Sequence, residues 1–261
     1  MTVIRTFGAA PATDRELVLA DNATRWRVPE ETPVAFIYNR RNYAVMLATP
    51  ADFADFAFGF SLTERIVDDA SDIEALDIHQ EEKGVELRMT IADRFIERLD
   101  LRQRRRNLVG RAGCGLCGVE NADVFFEPLP TVSLTPANIK EAPLLRAAAS
   151  LKDHQPLNAR THTVHAAAWA DMAGEIALVR EDVGRHNALD KLLGARSRLA
   201  KSDGFVVMSS RCSYEIVEKA ARLGVKAVLS ISAPTAFAIR KAKQANLTLY
   251  AMAEDRVVAI A

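Results

Sequence analysis

The sequence has little cysteine, few aromatic residues and no excess of either charge sign. Only three of its 261 residues are cysteine, an odd number, and two of them, Cys114 and Cys117, stand three positions apart. That count excludes a disulfide framework and leads to the expectation of reduced thiols in a cytoplasm. Charged residues break every apolar stretch well short of the roughly 20 residues a membrane helix needs. Met1 to Asp21 also has no basic flank leading into an apolar core, so neither a secretory leader nor a membrane anchor is expected. Lys and Arg number 34, as do Asp and Glu, so the formal charge is zero. Such a balance argues against general nucleic-acid binding, which draws most of its affinity from a basic surface.

Against these absences stands a 49% hydrophobic content, enough for a sizeable core in one or two domains. Residues 1–27 are expected to be a loose arm. Residues 28–130 read as a smaller α+β part, with strands at Val34–Asn39 and Tyr43–Thr49 joined by a polar turn at Arg40-Arg41-Asn42. Thr49-Pro50 has the pattern of a helix start, with Thr49 as N-cap, and Phe53, Phe56 and Phe60 then recur at core-facing helical spacing. Val85, Leu87, Met89 and Ile91 alternate as a half-buried strand. Thr135-Pro136 is expected to start a helix reaching about Ser150. Residues 131–261 read as a layered α/β part: strands at His165–Trp169, Glu175–Arg180, Phe205–Met208, Ala227–Ile231 and Leu247–Met252, with helices at Arg185–Leu199, Ser213–Leu223 and Pro234–Ala245. This alternation implies a sheet that is at least partly parallel.

Cys114 and Cys117 lie in Gly110-Arg111-Ala112-Gly113-Cys114-Gly115-Leu116-Cys117-Gly118, whose glycines are incompatible with a regular element. A zinc site would need a second cysteine pair or a matching histidine, and only Cys212 and five scattered histidines remain. No bound metal is therefore expected. A thioredoxin-like motif should open a helix after a strand, which this glycine-flanked pair does not. An inert thiol pair is the plain alternative, but structural cysteines are usually buried. What remains is a mobile nucleophilic thiol, with Arg111 and the Arg102–Arg106 cluster placed to favour the Cys114 thiolate.

Three strand-to-helix loops form a second constellation: Arg180 to Asn187, Ser209 to Glu215, and Ser230 to Thr235. Ligands of α/β sheets gather beyond the carboxyl ends of the strands, where helix N-termini attract anions. Arg185 and Arg211 add charged donors, and His186 and Ser232 stand in the same loops, so a phosphate-bearing ligand is expected there. Simple helix capping would explain each loop taken singly. His165 reads as a core histidine, Cys212 as a passive neighbour, and Arg94 to Arg106 as a solvated helix face.

The ordered series Glu30-Glu31-Thr32-Pro33-Val34, Met46 to Pro50, Gly59-Phe60, Cys114 to Gly118, Thr163 to Ala167, Arg180 to Lys191, Arg211 with Ser213-Tyr214-Glu215, and Ser232 to Thr235 closely resembles the FdhD family. The resemblance implies a cytidine-deaminase-like α/β fold and a cytoplasmic homodimer. It implies a sulfur carrier that takes sulfur as a persulfide from a cysteine desulfurase. The acceptor would be the molybdenum bis-guanine-dinucleotide cofactor, before its insertion into formate dehydrogenase. Cys114 falls at the persulfide position with Cys117 assisting. The stretch Met252, Ala253, Glu254, Asp255, Arg256 and Val257 falls at the cofactor-binding position. Two departures from the family pattern stand out. Thr63-Glu64-Arg65 replaces a Ser-Glu-Gly, and Glu254-Asp255 brings acidic residues to a turn usually basic or neutral, which should weaken anion binding there.

Two rival readings remain in view. A zinc deaminase would place a glutamate two residues after its histidine, and here Ala167 follows His165 at that spacing. A chaperone that only escorts the cofactor would keep the ligand loops and have no need of Cys114.

Overall fold

Period-two alternation over the first third of the chain builds a five-stranded mixed sheet. The computed structural model describes residues 2–20, 24–99, 127–135, 137–200 and 202–261. The amino-terminal stretch, expected to be a loose arm, carries three strands. β1 (Val3–Phe7) joins the sheet edge, and β2 (Asp14–Val18) and β3 (Arg25–Pro29) form a separate antiparallel hairpin. β1 is exposed at every position, so burial imposes no alternation on its sequence. β4 (Thr32–Tyr38) and β5 (Arg41–Ala48) pair through a two-residue turn at Asn39-Arg40. Both turn residues have positive φ, 46° and 67°, as the strand twist requires of a tight hairpin. β6 (Ile73–Glu81) and β7 (Gly84–Ile91) complete the order β1-β6-β7-β4-β5.

Helix α1 (Phe53–Thr63) lays its phenylalanines against this sheet. The Phe36 and Phe60 rings stack at 4.0 Å, and Phe56 meets Phe36 edge-on at 5.0 Å. Thr49 is not its N-cap. The helix begins four residues later, after Asp52 in a left-handed conformation (φ 55°), and Thr49 is fully buried. Its hydroxyl is taken by the other half of the molecule.

The second half alternates helices and strands. After α2 (Glu141–Ser150) and the short α3 (Pro156–Thr161) come β8 (His165–Ala170), β9 (Ile176–Asp182), α4 (Arg185–Ser197), β10 (Phe205–Arg211), α5 (Tyr214–Arg222), β11 (Ala227–Ser232), α6 (Ala236–Ala245), β12 (Thr248–Ala253) and β13 (Arg256–Ala259). α2 starts later than the Thr135-Pro136 pattern implied, with Pro143 in its first turn, where a missing N–H costs nothing; Pro136 itself lies outside the described residues. The strands form a six-stranded sheet in the order β13-β12-β11-β10-β8-β9, in which β10, β11 and β12 are parallel neighbours. One face is packed by α4, α5 and α6 around Trp169, Val206, Met208 and Val228, and the other by α2 around Ala168, Phe205, Val207 and Leu229. The molecule is thus a mixed α/β structure. Among the described residues no helix is long and apolar enough to cross a membrane.

The halves meet where α1 lies on α4. A Cβ on Gly59 would stand 1.7 Å from the Asp190 carbonyl oxygen, and one on Gly194 would stand 1.9 Å from that of Asp55. The two helices therefore touch backbone to backbone. Charged groups clamp the same seam. Arg180 and Arg198 both pair with Asp55, and Lys219 pairs with Asp190 at 2.8 Å while donating to Thr63 Oγ1 at 3.0 Å.

Candidate functional site

Topology gathers the polar loops on one edge of the six-stranded sheet. β8 runs antiparallel to both β9 and β10, so β9, β10, β11 and β12 all end on the edge where β8 begins. His165, the first residue of β8, sits opposite Asp182, the last of β9. Arg211 ends β10 opposite Ser232, which ends β11. Helices α4, α5 and α6 then start from this edge, and their N-terminal amides favour anions. The Thr235 amide donates to the Cys212 carbonyl at 3.0 Å, which ties the second loop to the third.

The charged side chains of this edge act on one another. His165 is held below the ordinary histidine range, first by burial and then by the charges of Arg185, His186 and Arg211. The expected core histidine is therefore a half-buried member of a basic cluster. Glu215 answers that cluster. Burial pushes its carboxyl up, yet His186 and Ser213 beside it prevail and bring it down to about 2. His186 Nε2 lies 3.6 Å from Glu215, an ion-pair separation longer than a hydrogen bond. Arg185 Nε is buried without a hydrogen-bond partner among the described residues, whereas His186 Nε2 and Ser213 Oγ stand beside the Glu215 carboxylate. A buried donor is seldom left unmatched, so Arg185 fits a ligand rich in acceptors, such as a phosphate.

The β9–α4 turn that presents Arg185 and His186 is held from inside. The buried Asp182 carboxylate accepts four bonds: from the Thr49 amide at 3.0 Å, Lys191 Nζ at 2.6 Å, the Gly184 amide at 2.8 Å and Asn187 Nδ2 at 2.9 Å. Lys191 also donates to the Thr49 carbonyl at 2.8 Å, Asn187 to the Leu47 carbonyl at 2.9 Å, and the Val183 amide to Thr49 Oγ1 at 3.1 Å. Asp182 and Lys191 have no exposed side-chain surface, so removing either would leave its partner buried and uncompensated. Sequence reading missed this frame. The signal was Lys191, a charge set among the apolar residues Ala188, Leu189, Leu192 and Leu193.

The family-implied stretch lies on the same edge, beside the end of β11. Met252 and Ala253 end β12, Glu254 and Asp255 form the turn, and Arg256 and Val257 open β13. Met252, Glu254 and Asp255 line an open groove of about 520 Å³ with Leu145, Ala148, Ala149 and Ile231. Ala167 is fully buried in the core, so no acid stands where a deaminase would need one. Cys212 is fully buried and its thiol is pushed up to about 12, chiefly by burial, which makes it a poor nucleophile. Cys114, Cys117, Arg111 and the Arg102–Arg106 cluster lie outside the described residues.

Comparison with known proteins gives a consistent family signal. The sequence model of the FdhD/NarQ family matches residues 29–260. A sulfur carrier protein FdhD from Xanthomonas euvesicatoria pv. vesicatoria is 47% identical over 256 residues, covering 97% of this chain and 86% of the relative. One from Bordetella petrii is 44% identical over 236 residues, covering 90% and 84%. A crystal structure from Desulfotalea psychrophila, described as that of a formate dehydrogenase accessory protein, has the same fold. It aligns with a TM-score of 0.66 over 94% of this chain and 95% of that one, at 22% identity.

Proposed function

The chain belongs to the FdhD/NarQ family, and from that membership we propose that it is a cytoplasmic sulfur carrier in the maturation of formate dehydrogenase. The observation that carries this reading is the near full-length similarity to proteins named sulfur carriers. The Cys114-Gly115-Leu116-Cys117 motif supplies the chemistry such a carrier needs. In the proposed first step the Cys114 thiolate attacks the outer sulfur of a cysteine desulfurase persulfide. The donor's S–S bond breaks, its cysteine leaves as a thiolate, and Cys114 becomes the persulfide. Cys117 then attacks the inner sulfur of Cys114. A disulfide forms between the two and the outer sulfur departs as hydrosulfide, with a cellular thiol restoring the pair.

The sulfur acceptor in this reading is the molybdenum bis-guanine-dinucleotide cofactor, on its way to the formate dehydrogenase catalytic subunit. In this reading Arg185, His186, Arg211 and Ser232 hold a phosphate of its nucleotide end. The unmatched Nε donor of Arg185 supports that assignment. The stretch Met252 to Val257, of which Met252, Glu254 and Asp255 line the groove, is the proposed seat of a further part of the same ligand. We take the carboxyl half as a cytidine-deaminase-like arrangement working in a homodimer.

Intact-protein mass after incubation with a cysteine desulfurase and cysteine tests the reading. A gain of one sulfur, about 32 Da, reversed by thiol reductant, is the expected result. A chain that takes up no sulfur and still activates formate dehydrogenase is an escort and not a carrier.

A further inference from the structure

The buried frame around Asp182 has a role that the ligand edge alone does not explain. Thr49 belongs to the connection between β5 and α1, far from β9 in sequence, yet it supplies both an amide to Asp182 and a hydroxyl acceptor to Val183. Gly184 and Asn187, which bracket Arg185 and His186, are both bonded to Asp182 Oδ1. The Gly184 amide and the Asn187 side chain, on either side of the two basic residues, are thereby fixed, while Arg185 keeps a buried Nε donor unmatched. A group that orients others while remaining satisfied itself is what a preorganised binding turn requires.

We propose that Thr49 is a positioning residue: through Val183 and Asp182 it sets the turn that presents Arg185 and His186, so the amino-terminal half governs anion binding at the sheet edge. This rests on the ligand-edge reading above for its consequence, and on the Thr49 geometry alone for its premise. Thr49 touches no charge directly with its side chain, so it is open to substitution without leaving a buried ion unpaired.

The test uses Thr49→Val, which removes the hydroxyl at nearly constant shape, with Thr49→Ser as the conservative rescue. Two quantities are read on the full-length protein beside its denaturation midpoint. One is the NMR titration of the His165 ring, which burial and, after it, the charges of Arg185, His186 and Arg211 depress in the native arrangement. The other is affinity for guanosine diphosphate. Thr49→Val should move the His165 midpoint upward, because the two charges leave its vicinity. It should also weaken the nucleotide about three- to tenfold, the loss of one well-made hydrogen bond. Thr49→Ser should restore both. A His165 midpoint that does not move in Thr49→Val overturns the proposal, whatever happens to stability, and so does a serine variant that fails to restore it. A midpoint that moves and recovers in a protein that binds no guanosine diphosphate upholds the positioning and removes the nucleotide reading.

Discussion

Gly59 and Gly194 back onto one another across the seam between α1 and α4, so closely that a Cβ on Gly194 would lie 2.5 Å from the Gly59 amide nitrogen. The contact leaves no room for a side chain, and the charged clamps of Asp55 and Asp190 flank it.

Gly194→Ala should therefore cost about 3 kcal/mol or more, at the upper end of overpacking effects, because the obstructing atoms are backbone. Urea denaturation measures it. An unchanged midpoint would mean that the helices separate freely, contrary to the packing described.

Lys219→Met should destabilise the protein by about 3–5 kcal/mol, since it strands the buried Asp190 carboxylate. Replacing both partners together, as Lys219→Met with Asp190→Leu, should recover much of the loss. The comparison of single and double variants in one denaturation series decides whether the charges are needed or only their pairing.

Arg211→Ala should weaken guanosine diphosphate binding by roughly 1.5–3 kcal/mol if a charged hydrogen bond to phosphate is lost. Calorimetry reads it directly. Equal affinity in the variant would move the ligand away from the carboxyl ends of β10 and β11.

The two motif cysteines should separate by mass spectrometry. Cys114→Ala should take up no sulfur from the desulfurase and fail to activate formate dehydrogenase. Cys117→Ala should still gain about 32 Da while delivering poorly. Loading of Cys114→Ala at the wild-type level would end the assignment.

Glu215 makes the ligand edge sensitive to acid. Its carboxyl is depressed to about 2 in the folded protein, so the stability it contributes is fully present above the ordinary carboxylate range. That contribution is lost as pH falls through this interval towards the folded value. Wild-type protein should lose more stability than Glu215→Gln between about pH 5 and about pH 3, as urea midpoints would show. Parallel decline in both would assign the acid sensitivity elsewhere.

How much of this was legible beforehand depended on where the partner of each residue lay. Strands and helices from His165 to Met252 could be read because their apolar periods reflect burial on both faces of one sheet. β1 could not, since an edge strand exposed throughout shows no period. β13, four residues of which two are exposed and two half-buried, also left no mark. Thr49-Pro50 carried a sound local helix-start signal, but a residue 134 positions away claimed the hydroxyl. The same holds for the site. Arg185, His186 and Arg211 were visible as polar residues between strand and helix, whereas the buried frame of Thr49, Asp182 and Lys191 exists only through long-range contact. His165 was read as core because its neighbours in sequence are apolar. The charges that act on it, after burial, are those of Arg185, His186 and Arg211.

The burial of Cys212 gives the folded chain a silent thiol. With no solvent contact and a thiol pushed up to about 12, it should ignore alkylating reagents until the surrounding helices part. A brief pulse of iodoacetamide along a denaturant series would then date the opening of the carboxyl half by the label appearing on Cys212. The same measurement would count any modification of the native protein as belonging to Cys114 or Cys117, so one reagent would keep separate records of chemistry and of unfolding.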